Sequence, residues 1–114
     1  MKKLQKKLFR FALERDWEQF HSPKNLVMAL SAEVGELTEI FQWLTEEQSS
    51  SLPKDKLEKV KEEIGDIQIY LARLSDRLGI NPIEAALTKI KKNEKKYPIS
   101  KSKGIAKKYT EFIK

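Results

Sequence analysis

Apolar residues recur along most of this chain at helical spacing. Leu26, Leu30, Leu37, Ile40, Phe41 and Leu44 fall on one side of a helix drawn at about 100° per residue. Leu57, Val60, Ile64, Ile67, Leu71, Leu74 and Leu78 form a second stripe. Punctuation separates these stripes. Ser22-Pro23 and Asn81-Pro82 each read as an N-cap followed by a first helical residue, because proline already holds the helical φ and lacks only an N–H that the first turn leaves unpaired. Ser49-Ser50-Ser51-Leu52-Pro53 is a polar break, and Tyr97-Pro98 closes the last long helix, since the residue before proline is pushed out of the α region. Four helices are expected, roughly 3–20, 23–47, 53–79 and 82–96. Polar and β-branched residues nowhere alternate over a useful length, so no strand is expected. The pattern predicts an all-α chain of four-helix-bundle type, a single domain over 1–114 with a Lys-rich tail at about 98–114.

Composition narrows the chemistry. The 114 residues include no cysteine and one histidine, which excludes thiolate nucleophiles, disulfides, zinc-thiolate sites and His-pair metal motifs. No apolar run approaches the roughly 20 residues of a membrane span, and no secretory signal opens the chain, so no membrane partner is expected and the cytoplasm is the default location. The formal charge of +6 is unevenly spread. Residues 1–10 carry +5 and residues 89–114 carry +8, which leaves −7 in between. That acidic middle would repel a nucleic-acid backbone and argues against such a partner.

Some of those acids stand in apolar territory. Glu33 lies three residues after Leu30 and four before Leu37, near the middle of its stripe, with Glu36 at the edge. On the next helix Glu63 flanks the apolar face and Asp66 sits beside Tyr70, while Glu62 projects toward solvent. Spacing alone is weak, because Asp55/Glu58 and Glu36/Glu39 share it. Placement is the stronger signal. An ionised carboxylate in an apolar stripe costs several kcal/mol unless a cation or donors compensate it. Four oxygen-bearing groups converging between helices suit a hard divalent cation such as Mg²⁺, which shares its coordination with substrate phosphates.

These residues sit inside a longer pattern. Arg15-Asp16-Trp17-Glu18-Gln19-Phe20-His21 leads through Pro23 and Asn25-Leu26 to Glu33-Val34-Gly35-Glu36-Leu37. Phe41-Gln42-Trp43, Glu62-Glu63-Ile64-Gly65-Asp66-Ile67 and Tyr70-Leu71 follow, then Lys89, Asn93, Lys96-Tyr97-Pro98 and Lys107-Lys108-Tyr109-Thr110-Glu111. Over roughly residues 9–112 the chain resembles the MazG-like all-α nucleoside triphosphate pyrophosphatases, most of all their dCTP pyrophosphatase branch. The Asp-Trp-Glu-Gln-Phe-His string with Phe-Gln-Trp is the most specific part.

The resemblance implies an Mg²⁺-dependent hydrolase, with Mn²⁺ a possible substitute, that converts a nucleoside triphosphate, dCTP or a 5-modified dCTP, to its monophosphate and pyrophosphate. It places Glu33, Glu36, Glu63 and Asp66 at the metal, with Glu33 or Glu36 nearest the attacking water. It places Trp17 and Trp43 around the nucleobase, where a flat indole can stack, and adds His21 and Tyr70 as substrate contacts. Lys89, Asn93 and Lys96 match a phosphate-contact pattern, although lysine in the last position lacks the bidentate fork of the arginine common there. The resemblance also implies a homotetramer, a dimer of dimers with sites at subunit interfaces. Ile69 and Ala72, off the main stripe of their helix, favour an oligomer as well. Residues 100–109, rich in Ser, Gly and Lys, form a candidate lid over a polyphosphate. Two other readings compete: a non-catalytic helical module binding through its basic ends, and the same chemistry on dUTP or a broad set of triphosphates.

Overall fold

The computed structural model describes residues 1–104. Residues 105–109 of the candidate lid and the Lys107–Glu111 end of the family pattern lie outside them. Among the described residues there is no strand, and the all-α expectation holds. The helices are α1 (Lys2–Glu14), α2 (Pro23–Phe41), α3 (Glu46–Ser49), α4 (Lys54–Arg77), α5 (Pro82–Lys96) and α6 (Ile99–Ser102), with a 3₁₀ turn at Glu18–Phe20. None of them is long and apolar enough to cross a membrane.

The caps account for most of these bounds. Ser22 Oγ accepts from the Asn25 N–H at 3.2 Å and opens α2. Asn81 Oδ1 accepts from the N–H groups of Ile83 and Glu84 and opens α5. Gly79, at φ +67°, ends α4: its N–H and that of Ile80 turn back to the carbonyls of Asp76 and Ser75. Two expected helices are shorter than their apolar periodicity. The first stops at Glu14 because Asp16 takes a left-handed conformation, φ +53°, which aspartate tolerates better than most residues. Gln19 Nε2 donates to both the carbonyl and the carboxylate of Asp16 and fixes this turn. The second stops at Phe41, because Thr45 and Gln48 form a reciprocal capping box that starts α3.

The chain divides after Ile80. In the first unit α2 and α1 both pack against α4. Leu26 and Val60 are buried where α2 meets α4, and Ala12 and Ala72 where α1 does. Gln5 Nε2 donates to the Ala72 carbonyl at 3.3 Å, so Ala72 is covered by its own chain and is no sign of an oligomer. Burying Leu26 contributes about 2 kcal/mol. Much of the α4 stripe stays open, since Leu57, Ile64 and Leu71 are exposed, as is Leu78 just after the helix. The second unit begins with α5, on which Lys89, Asn93 and Lys96 share one face at spacings of four and three.

Candidate functional site

Packing α2 on α4 brings three of the four acids together. Carboxylate oxygens of Glu33, Glu36 and Glu63 all lie within 4.8 Å of one another. Glu33 and Glu63 are half-buried and Glu36 is exposed, as their places on the apolar stripes predict. One buried oxygen on each of Glu33 and Glu63 has no donor. An acid pair in that state must share a proton or hold a cation. With no cation the proton answers: Glu33 is pushed up to about 7, first by its hydrogen bond to Glu63, then by burial, then by Glu36 and the charge of Asp66. Glu63 is also raised. The bond from Glu33 opposes that shift, and burial with Glu36 and Asp66 outweighs it.

The sign of the linkage follows. Between the ordinary carboxylate range, near 4.5, and about 7 the folded protein holds a proton here that the unfolded chain has released. Stability from this pair is therefore full in acid and lost as pH rises through that window. A divalent cation reverses the situation, because it binds the ionised oxygens and supplies the missing partner. The donor set, three carboxylates with two orphaned oxygens, fits a hard cation.

Asp66 stands apart from this triad. It lies close enough to raise Glu33, yet it lines a separate pocket of about 410 Å³ between α1 and α4. Leu8, Phe11, Ile69 and Trp17 give that pocket apolar lining, and His21, Asp66, Tyr70 and Arg73 add polar groups to it. The Asp16 turn builds it by bringing the Trp17 N–H back to the Ala12 carbonyl at 2.9 Å. Phe11 meets the Trp17 ring edge-on at 5.6 Å between centroids, and the His21 ring does so at 6.4 Å. Trp17 remains 44% exposed, with its indole available to a flat ligand. Asp66 is therefore the hinge between an acid cluster and an aromatic pocket.

Of the sequence candidates, Trp17, His21, Tyr70 and Asp66 meet in this pocket, and Glu33, Glu36 and Glu63 meet beside it. Trp43 does not join them. The turn after α2 leaves it 86% exposed, and it does not line the pocket of its own chain. Three residues escaped the sequence reading. Lys56 and Lys59 precede Glu63 by seven and four positions and line an open cleft of about 450 Å³ with Glu36 and Glu63. Arg73 is buried in the wall of the aromatic pocket. Helical register could have found the two lysines, which lie two turns and one turn before Glu63, whereas the burial of Arg73 depends on α1 packing over α4.

Comparison with known proteins finds clear relatives. The MazG-like family model matches residues 28–112. Mouse dCTP pyrophosphatase 1 is 45% identical over 104 residues, which cover 90% of this chain and 61% of the mouse protein. The bovine protein of that name is 46% identical over the same share of this chain and 62% of its own length. The chain thus spans about three fifths of the curated relatives it matches. A pyrophosphatase of known crystal structure from Archaeoglobus fulgidus is 44% identical and superimposes with a TM-score of 0.81, over 86% of this chain and 92% of that one.

Proposed function

The chain belongs to the MazG-like family, and from that premise we propose that it hydrolyses a deoxynucleoside triphosphate, dCTP or a 5-modified dCTP, to the monophosphate and pyrophosphate. One observation carries this reading: an acid triad with two orphaned oxygens stands beside an aromatic pocket, and Asp66 joins the two. A binding module acting through basic ends has no use for such a triad.

Glu33, Glu36, Glu63 and Asp66 would hold Mg²⁺, or Mn²⁺ in its place. When bound, the cation neutralises phosphate charge and makes water nucleophilic at neutral pH. Glu36, the most exposed of the triad, orients the attacking water and takes its proton, with Glu33 beside it. Attack at the α-phosphorus breaks its bond to the bridging oxygen, and pyrophosphate leaves. Lys56 and Lys59 line the acid cleft, where they can meet the β- and γ-phosphates. Lys89, Asn93 and Lys96 are assigned to phosphate on the family pattern alone. Trp17 stacks on the base, and His21 and Tyr70 read its edge.

We also propose that the bundle and the pocket are completed by further copies, in a homotetramer. The exposure of Trp43, Ile64 and Val34 supports this, since a lone chain would leave them in water.

Thermal melting tests the cation and the ligand together. The cation-free protein is expected to lose several degrees between pH 5.5 and 7.5, because the raised carboxyls must ionise. Mg²⁺ should restore the loss, increasingly so at higher pH, and a non-hydrolysable dCTP analogue with Mg²⁺ should add several degrees more. A flat pH response, with no shift from either addition, would favour the non-catalytic module.

A further inference from the structure

Arg73 is 2% exposed and has no part in the chemistry above. A guanidinium stripped of water is tolerated only when its donors are matched. Its Nη2 donates to the Glu18 carboxylate at 2.5 Å, while its buried Nη1 has no hydrogen-bond partner and is met only by the charge of Asp76, 3.6 Å from Oδ2. The Nε donor is unusual in its target. Arg73 Nε donates to His21 Nδ1 at 3.3 Å. An imidazole nitrogen that accepts a hydrogen bond carries no proton, so the ring proton belongs on Nε2. Because Nδ1 is taken, Nε2 is the ring's one remaining polar atom, on a side chain that lines the aromatic pocket.

We propose that Arg73 is a positioning residue that holds His21 in the Nε2–H tautomer, so that the pocket presents a donor to a carbonyl or unprotonated ring nitrogen of a pyrimidine. In the opposite tautomer Nε2 would accept instead, and would favour an exocyclic amino group. Arg73 thus sets which base edge His21 can read. The surrounding charges act in the same sense. Burial first, then Arg73 and Arg77, hold His21 below the usual histidine range, against the opposing pull of Glu18. Lys7 from α1 and Asp66 and Tyr70 from α4 line the same pocket and complete the groups around the ring. The identity of the ligand rests on the nucleotide reading above; the tautomer is a property of the protein alone.

His21 is the chain's one histidine, so a long-range ¹H–¹⁵N spectrum of labelled protein reports a single imidazole without assignment. The wild-type ring is expected to show an unprotonated Nδ1 and a protonated Nε2 at pH 7.5. Arg73→Lys keeps a positive charge against Glu18 but lacks the Nε–H, and should give a mixture of tautomers. In the same variant KM for dCTP should rise about tenfold, with kcat within a factor of about two. A wild-type ring protonated at Nδ1 would overturn the proposal without any variant. An unchanged tautomer in a folded Arg73→Lys protein would overturn it too. A held tautomer, lost in the variant, in a protein that does not turn over dCTP would support the lock and defeat only the nucleotide reading.

Discussion

Glu36→Gln should lower kcat for pyrophosphate release from dCTP about a thousandfold at saturating Mg²⁺, in a protein whose helical circular dichroism is unchanged. The substitution alters one atom and leaves the shape of the side chain. A neutral amide cannot take a proton from water and is a poor partner for a hard cation. The fold has little to lose, because Glu36 is exposed and its charge is one of the causes that push Glu33 upward. Removing that charge relieves the cluster, so the cation-free variant should melt slightly above the wild type. Lost turnover with gained stability is the signature of a group kept for chemistry. Asp66→Asn should follow the same direction. Wild-type turnover in a folded Glu36→Gln protein would remove the acid triad from the mechanism.

Trp17→Ala and Trp43→Ala should each raise KM for dCTP by about ten- to a hundredfold, the worth of one base stacked on one indole. Trp17 is placed to do this within its own chain, whereas Trp43 stands in solvent. Both can act on one base only if Trp43 comes from another copy. Unfolding the two variants together and refolding the mixture would then rebuild pockets with both indoles at about a quarter of the sites under random pairing in an isologous dimer. Those sites should turn over dCTP with the wild-type KM. No recovery on mixing would place Trp43 outside the pocket and count against a shared site.

Local signals in this sequence are strong where a cap decides the outcome. Asn81-Pro82 and Ser22-Pro23 locate the starts of α5 and α2 to the residue, because proline and a capping oxygen act within four positions. The ends of the first two helices are less legible. Apolar periodicity runs through Trp17 and Phe20 without showing that Asp16 will turn left-handed, and through Leu44 without weighing the Thr45–Gln48 box. The acid triad was legible because helical projection alone puts Glu33 and Glu63 on faces that must pack. Arg73 was not, since its partner Glu18 lies 55 residues away and its burial depends on α1 folding over α4. Trp43 follows α2 in a turn where its own chain leaves it exposed, which helical projection does not foretell.

The central claim is cleavage between the α- and β-phosphates, and the products decide it. Incubated with dCTP and Mg²⁺ and resolved by ³¹P NMR, the protein is expected to yield dCMP and pyrophosphate in equal amounts from the first turnover. Formation of dCDP with orthophosphate, or no hydrolysis of any nucleoside triphosphate, would contradict the account.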